Sequence, residues 1–292
     1  MSPHLPVQSS DTSLHCNDSG GAGCPILFLN GAFGTQHDWA RVLGRLDPRY
    51  RTVTFAARGR GKSRRSKTYS FAADLDDVAA VVAATGLRRH LIVGWSHGAA
   101  LAVRYAAQHP DEVTGLVLVD GAFPISMLAE ADKEQARRTF RRLAPLMRVM
   151  AVFNRSARMS GSEAADLNIE LDDLAASLTY DYDIIHCPIE FIVGSKPHMG
   201  ATDEQCRTMR ASITALVEQH GNISLFATLP ASHNQILTKH PDIVATAIDR
   251  VYAALTPTAP RGGAIEPPSL TATAQVVLTG SLRVSGAACD ID

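Results

Sequence analysis

The chain has 292 residues, of which 46% are hydrophobic and 20% charged, and its formal net charge is -1. This is the balance of a soluble globular chain, long enough for one large α/β core carrying an inserted subdomain. Near neutrality excludes nucleic acid or an anionic membrane as a bulk partner, and no apolar run is long enough to span a bilayer.

Local features add to this. One basic run, Arg58, Arg60, Lys62, Arg64, Arg65 and Lys67, has no interleaved aromatics and is expected to be a solvated loop. Cys16, Cys24, Cys187, Cys206 and Cys289 are scattered, odd in number and without CxxC spacing, which points to thiols in a reducing cytoplasm. Residues 1–13 show no basic start followed by an apolar stretch, so no secretory leader is expected and the location is expected to be cytoplasmic. The expected partner is a small-molecule substrate, with no nucleic acid, membrane, metal or cofactor, and a homodimer is left open.

From residue 25 onward, short apolar runs alternate with amphipathic segments, the signature of a mostly parallel sheet with helices on both faces. Strands are predicted over residues 25–31, 52–58, 90–94 and 115–119, with helices over 71–84 and 99–108. The pattern then changes: residues 122–186 are helical in period, rich in Leu, Met and Arg, and hold no convincing strand. The sheet resumes at 188–194 and 222–229, with helices over 203–220 and 241–255. Beyond residue 256 a Pro-, Thr-, Ala- and Gly-rich composition predicts a flexible tail, in which VVLTGSLRV could pair as two strands. The expected organisation is a core of residues 1–121 and 187–255, a helical cap over 122–186, and a tail over 256–292.

Chemistry enters at Gly94-Trp95-Ser96-His97-Gly98, between a predicted strand and a predicted helix. A serine hydroxyl is a poor nucleophile until a base takes its proton, and this turn lifts Ser Oγ above the sheet where a base can reach it. Ser96 is therefore the candidate nucleophile. The base is expected after the last strand, where Ser232-His233-Asn234 stands; His233 is the candidate. An oxyanion needs two backbone N–H groups aimed at one point: His97 would supply one and Ala32, in Asn30-Gly31-Ala32-Phe33-Gly34, the other. Gly31, Phe33 and Trp95 would border the bound substrate. The side chains of His90, His97 and His109 read as packing or surface groups.

Over residues 14–255 the chain resembles the α/β-hydrolase superfamily. The LNGAFG turn, Trp39, RGRGKS, GWSHG and SH followed by HPDIVATAI carry the resemblance, in order. Two positions depart from the family pattern: Asn30 stands where His is usual, and Ala56 where an Asp usually precedes RGxGxS. The resemblance implies an α/β-hydrolase fold, a mostly parallel sheet flanked by helices, with a helical cap insertion. It also implies a third catalytic group, an acid three residues past the glycine of PIEFIVG, but Pro197 occupies that position. Asp120, at the end of GLVLV, is the acid adopted here, because a strand end holds a carboxylate rigidly beside the elbow; Asp203 is the alternative. Placing the acid there is a trait of zearalenone-lactonase-like hydrolases and one group of haloalkane dehalogenases.

The expected activity is hydrolysis of a carboxylic ester or lactone through an acyl-enzyme. The cap's apolar side chains would surround a fairly apolar substrate, with Tyr180 and Tyr182 as candidate hydroxyl donors. Rivals are a C–C bond hydrolase, a cofactor-free haloperoxidase-like enzyme and, in another class, a ligand-sensing receptor of the same fold.

Overall fold

A strand covered on both faces needs apolar residues on both, and β5 (His90–Trp95) is buried at all six positions. The computed structural model describes residues 4–153, 156–196 and 201–255. The expectations for Pro197, Cys289 and the tail over 256–292 lie outside them.

Among the described residues eight strands form one sheet in the order β1-β2-β4-β3-β5-β6-β7-β8. These are β1 (His4–Ser9), β2 (Thr12–Asp18), β3 (Cys24–Leu29), β4 (Tyr50–Ala56), β5, β6 (Val113–Val119), β7 (Ile189–Gly194) and β8 (Ile223–Leu229). From β4 through β8 all neighbours are parallel. β1 and β2 form an antiparallel hairpin that joins the sheet through β4. This hairpin was not foreseen in the sequence. It is half-exposed, so only Val7, Ser9, Thr12, Leu14 and Cys16 are buried and the apolar signal is thin.

Alternation along the strands sorts the core onto two faces. Leu27, Leu29, Ile92, Leu116 and Leu118 pack with α2 (Phe71–Thr85), α3 (His97–Gln108), α6 (Leu178–Ile184) and α7 (Asp203–Gln219). Ile26, Phe28, Leu91, Val93, Val117 and Val119 pack on the other face with α1 (Ala40–Leu43), α8 (Gln235–Lys239) and α9 (Pro241–Leu255). Local signals set the helix ends: Ser70 Oγ accepts the Ala73 N–H at the start of α2, and Gly86 at φ 62° ends it.

Between β6 and β7 run α4 (Glu130–Val152), α5 (Gly161–Ala175) and α6, inside the stretch predicted to be helical. No described helix is long and apolar enough to cross a membrane.

The winding direction reverses at β3, which pairs with β4 on one side and β5 on the other. In an open α/β sheet the crevice outside the carboxyl ends of such strands is where ligands bind. The turn over residues 30–34 and Ser96 stand at those two ends.

The basic run is corrected in part. Lys62, Arg64, Arg65 and Lys67 are exposed, but Arg58 and Arg60 are 2% and 1% exposed. They are buried because α2 supplies carboxylates: Arg58 pairs with Asp77 at 2.7 Å and Arg60 with Asp74 at 2.8 Å.

Candidate active site

Ser96 joins β5 to α3 at φ 57° and ψ -119°, a region that costs a non-glycine residue about 1–3 kcal/mol. The neighbouring glycines make the turn sterically feasible. A Cβ on Gly94 would lie 2.4 Å from the Gly98 carbonyl oxygen, and one on Gly98 would lie 2.3 Å from that of Leu29. The Ser96 N–H donates to the Val119 carbonyl at 3.0 Å. Ser96 is partly exposed, whereas Trp95 and His97 on either side are buried.

The end of β6 is built against this turn. Asp120 is held at φ 47°, its N–H donates to the Ile192 carbonyl at 2.7 Å, and a Cβ on Gly121 would meet the Ser96 carbonyl oxygen at 2.3 Å. The Asp120 carboxylate is buried and split between two donors. Oδ1 accepts the Gly194 N–H at 2.9 Å, and Oδ2 lies 2.8 Å from His233 Nδ1. His233, in the loop between β8 and α8, has the Trp95 ring at 5.1 Å with the planes 31° apart. A proton on Nδ1 shared with Asp120 fixes the tautomer in which Nε2 can accept one.

The turn after β3 closes on itself, with the Gly34 N–H donating to the Gly31 carbonyl at 3.0 Å. It lies against the elbow: a Cβ on Gly31 would be 3.4 Å from Ser96 Cβ. Among the described residues the backbone N–H groups of Ala32 and Phe33 donate to no protein group. The His97 N–H opens α3, where helical geometry supplies no acceptor.

The insertion reaches this turn. Ala32 and Phe33 pack with Phe140, Met147, Ala157 and Met159, and the rings of Phe33 and Phe140 are 5.5 Å apart.

Other expected residues stand elsewhere. Asp203 is exposed in the first turn of α7, behind the N-cap Thr202; the carboxylate facing His233 is that of Asp120. Tyr180 is 73% exposed, on the outside of α6. Tyr182 is fully buried and its hydroxyl donates to the Ala122 carbonyl at 2.7 Å, which ties the insertion to the end of β6. Neither tyrosine offers its hydroxyl as expected, since one points to bulk solvent and the other is already committed.

A second buried cluster was missed. Arg60 donates to the Ala32 carbonyl at 2.9 Å and holds both oxygens of Asp74, and Asp74 Oδ2 also meets His97 Nε2 at 3.0 Å. Burial opposes the charge on Asp74, but Arg60 and His97 outweigh it and bring its pKa down to about 2. The sequence signal was DLDD: Asp74 and Asp77 stand three apart on an otherwise apolar helix, which calls for buried cationic partners.

Comparison with known proteins agrees with this architecture. The family described as alpha/beta hydrolase fold matches residues 25–184. A fluoroacetate dehalogenase from Burkholderia sp. is 32% identical over 137 residues, 45% of this chain and 45% of that protein. A non-heme haloperoxidase from Rhodococcus erythropolis is 34% identical over 134 residues, 44% of this chain and 48% of that one. The chain thus spans about half the length of the curated relatives it matches. A thermophilic esterase from Thermogutta terrifontis superimposes with a TM-score of 0.67 at 18% identity, over 86% of this chain and 98% of that one. Sheet order, the strained turn at Ser96 and the family match over more than half its length agree: the chain belongs to the alpha/beta hydrolase fold family.

Proposed function

We propose that the protein hydrolyses a carboxylic ester or lactone of a fairly apolar compound through an acyl-enzyme on Ser96. The observation that carries this is the 2.8 Å contact between His233 Nδ1 and a buried Asp120 whose other oxygen is held by the Gly194 N–H. A carboxylate locked in this way orients the imidazole and stabilises the imidazolium, and Trp95 sets the ring beside the elbow.

In this mechanism Ser96 Oγ attacks the carbonyl carbon as His233 takes the hydroxyl proton. The N–H groups of Ala32 and His97 receive the oxyanion, the alcohol leaves with the proton from His233, and water reverses the sequence to free the acid. Helices α4 to α6 act as the cap. Phe33, Phe140, Met147 and Met159 give the mouth of the site its apolar character. An acid at the end of β6 also favours the zearalenone-lactonase-like branch.

The nucleophile argues against carbon–halogen cleavage. A serine alkylated at carbon is an ether, with no carbonyl for water to attack, whereas an acylated serine is an ester that water cleaves.

The test is turnover of p-nitrophenyl esters and macrocyclic lactones by wild type and Ser96→Ala. Multiple turnovers that vanish in the variant support the assignment. Tight binding without turnover in the wild type would overturn it in favour of a ligand sensor.

A further inference from the structure

Two backbone segments must keep a fixed separation for the proposed oxyanion hole to work: the turn carrying Ala32, and the start of α3 carrying His97. They come from different strands, and one buried carboxylate links them. Asp74 receives Arg60 through both oxygens, at 2.8 and 2.9 Å, and His97 Nε2 at 3.0 Å. Arg60 in turn donates from Nε to the Ala32 carbonyl at 2.9 Å and from Nη1 to the Arg58 carbonyl at 2.9 Å. Arg60, Asp74 and His97 are each at most 2% exposed, so the bonds among them are shielded from bulk solvent, while the Arg60–Ala32 bond is partly buried.

The cluster has a second side. Asn30 and His97 line one small cavity with Arg60, Asp74, Gly31 and Phe55. Two buried atoms of these lining residues, Asn30 Oδ1 and His97 Nδ1, lack protein partners among the described residues. Leaving a buried acceptor unmet costs about 1–3 kcal/mol. The cavity has about 10 Å³ of room for a water centre, close to what a single molecule needs. Donors and acceptors also balance. Asn30 Nδ2 already donates to the Phe55 carbonyl at 2.6 Å, so its Oδ1 needs a donor. His97 Nε2 is engaged by Asp74, which leaves Nδ1 as the ring nitrogen still to be met. One water can bridge the two, donating to Asn30 Oδ1 and pairing with Nδ1.

We propose that Arg60, Asp74 and His97, closed by a single buried water between His97 Nδ1 and Asn30 Oδ1, are positioning residues that hold the two oxyanion-binding amides in register. The inference rests on the acyl-transfer reading of Ser96.

His97→Phe keeps the ring against Phe71, whose centroid is 5.5 Å away, and removes both nitrogens; Asp74→Asn keeps the shape and removes the charge. The measurement is turnover of p-nitrophenyl butyrate per Ser96 titrated with a fluorophosphonate, so misfolded protein is not counted. Misplaced donors lower kcat by on the order of tenfold to hundredfold and leave KM nearly unchanged. They weaken binding of an alkyl boronic acid, a mimic of the tetrahedral species, by a similar factor. A purely structural role would lower the titratable fraction and leave kcat per site intact, and kcat within about twofold of wild type in His97→Phe overturns the proposal. A crystal structure of the wild type at about 1.5 Å reads the other half without any assay: a water within hydrogen-bonding distance of both atoms is expected, and an empty cavity overturns that element. Failure of the acyl-transfer reading looks different, because the wild type would then show no Ser96-dependent turnover at all.

Discussion

The ground behind Ser96 and the outer face of α4 are both rich in arginine and carboxylate, yet they are built on opposite terms. Behind the elbow, Arg58–Asp77 and Arg60–Asp74 are sealed from solvent, with every oxygen engaged by guanidinium, backbone N–H, Ser9 or His97. On α4, Arg141–Glu134 and Arg137–Asp166 lie in solvent at 2.9 and 3.3 Å. The same helix exposes Leu146, Val149 and Val152, and Phe153 just beyond its end is exposed too. The insertion meets the core through hydrogen bonds such as the Arg158 N–H on the Gly59 carbonyl at 2.7 Å, Arg104 on Asp181 at 2.7 Å and the Phe71 N–H on Glu170 at 2.9 Å, and through the buried Leu178, Tyr182 and Ile185. The difference teaches that an ion pair fixes geometry only where losing it would strand a buried charge. Behind the elbow such pairs hold the Arg60 and His97 side chains in place, whereas those on α4 lie where solvent can replace them.

The strongest way to break this comparison is at Asp120. Asp120→Asn keeps the shape but lets His233 settle in the wrong tautomer, and kcat for an activated ester falls by about a thousandfold to ten-thousandfold. Asp203→Asn, at an exposed position in the first turn of α7, stays near wild type. If the two results were exchanged, Asp120 would lose its assignment. Next comes the stability of the buried pairs. Asp77→Ala strands Arg58 and costs about 3–5 kcal/mol in denaturant unfolding, whereas Asp166→Ala on the insertion costs less than about 1 kcal/mol. Equal costs would erase the distinction between the two regions.

A pH experiment sharpens it. His90 is fully buried, and burial, helped by His109, lowers its pKa from 6.5 to about 4. The unfolded chain takes up this proton near pH 6.5 and the native state only near 4. Native stability therefore falls as pH drops through 6.5 and levels off below 4. His90→Phe removes that contribution, about 3 kcal/mol in all, so its denaturation midpoint changes less between those pH values. Superimposable pH profiles for variant and wild type would refute it. The smallest effect belongs to the outer face of α4: Val152, 78% exposed, changed to Ser shifts stability by no more than about 0.5 kcal/mol.

Much of the fold was legible in the sequence because burial on both faces leaves a plain record. Runs such as HLIVG and GLVLV read as strands of a covered sheet, and a strand–GxSxG–helix passage exposes Ser96 whatever surrounds it. His233 was legible by its place after the last strand. The N-terminal hairpin was not, since only one face of it is buried and its alternation is short.

What tertiary structure decided was partnership. Asp120 and His233 are 113 residues apart, and only the parallel pairing of β6, β7 and β8 brings them within 2.8 Å while leaving Asp203 on the surface. Arg60 looked like one charge in a solvated run until α2 brought Asp74 across to it. Tyr182 looked like a substrate contact until the packing of α6 turned its hydroxyl to Ala122. Pattern and period record how each residue meets solvent, which is a local property. Which charges meet each other depends on how strands and helices pair across the chain, and that is fixed only when the whole sheet closes.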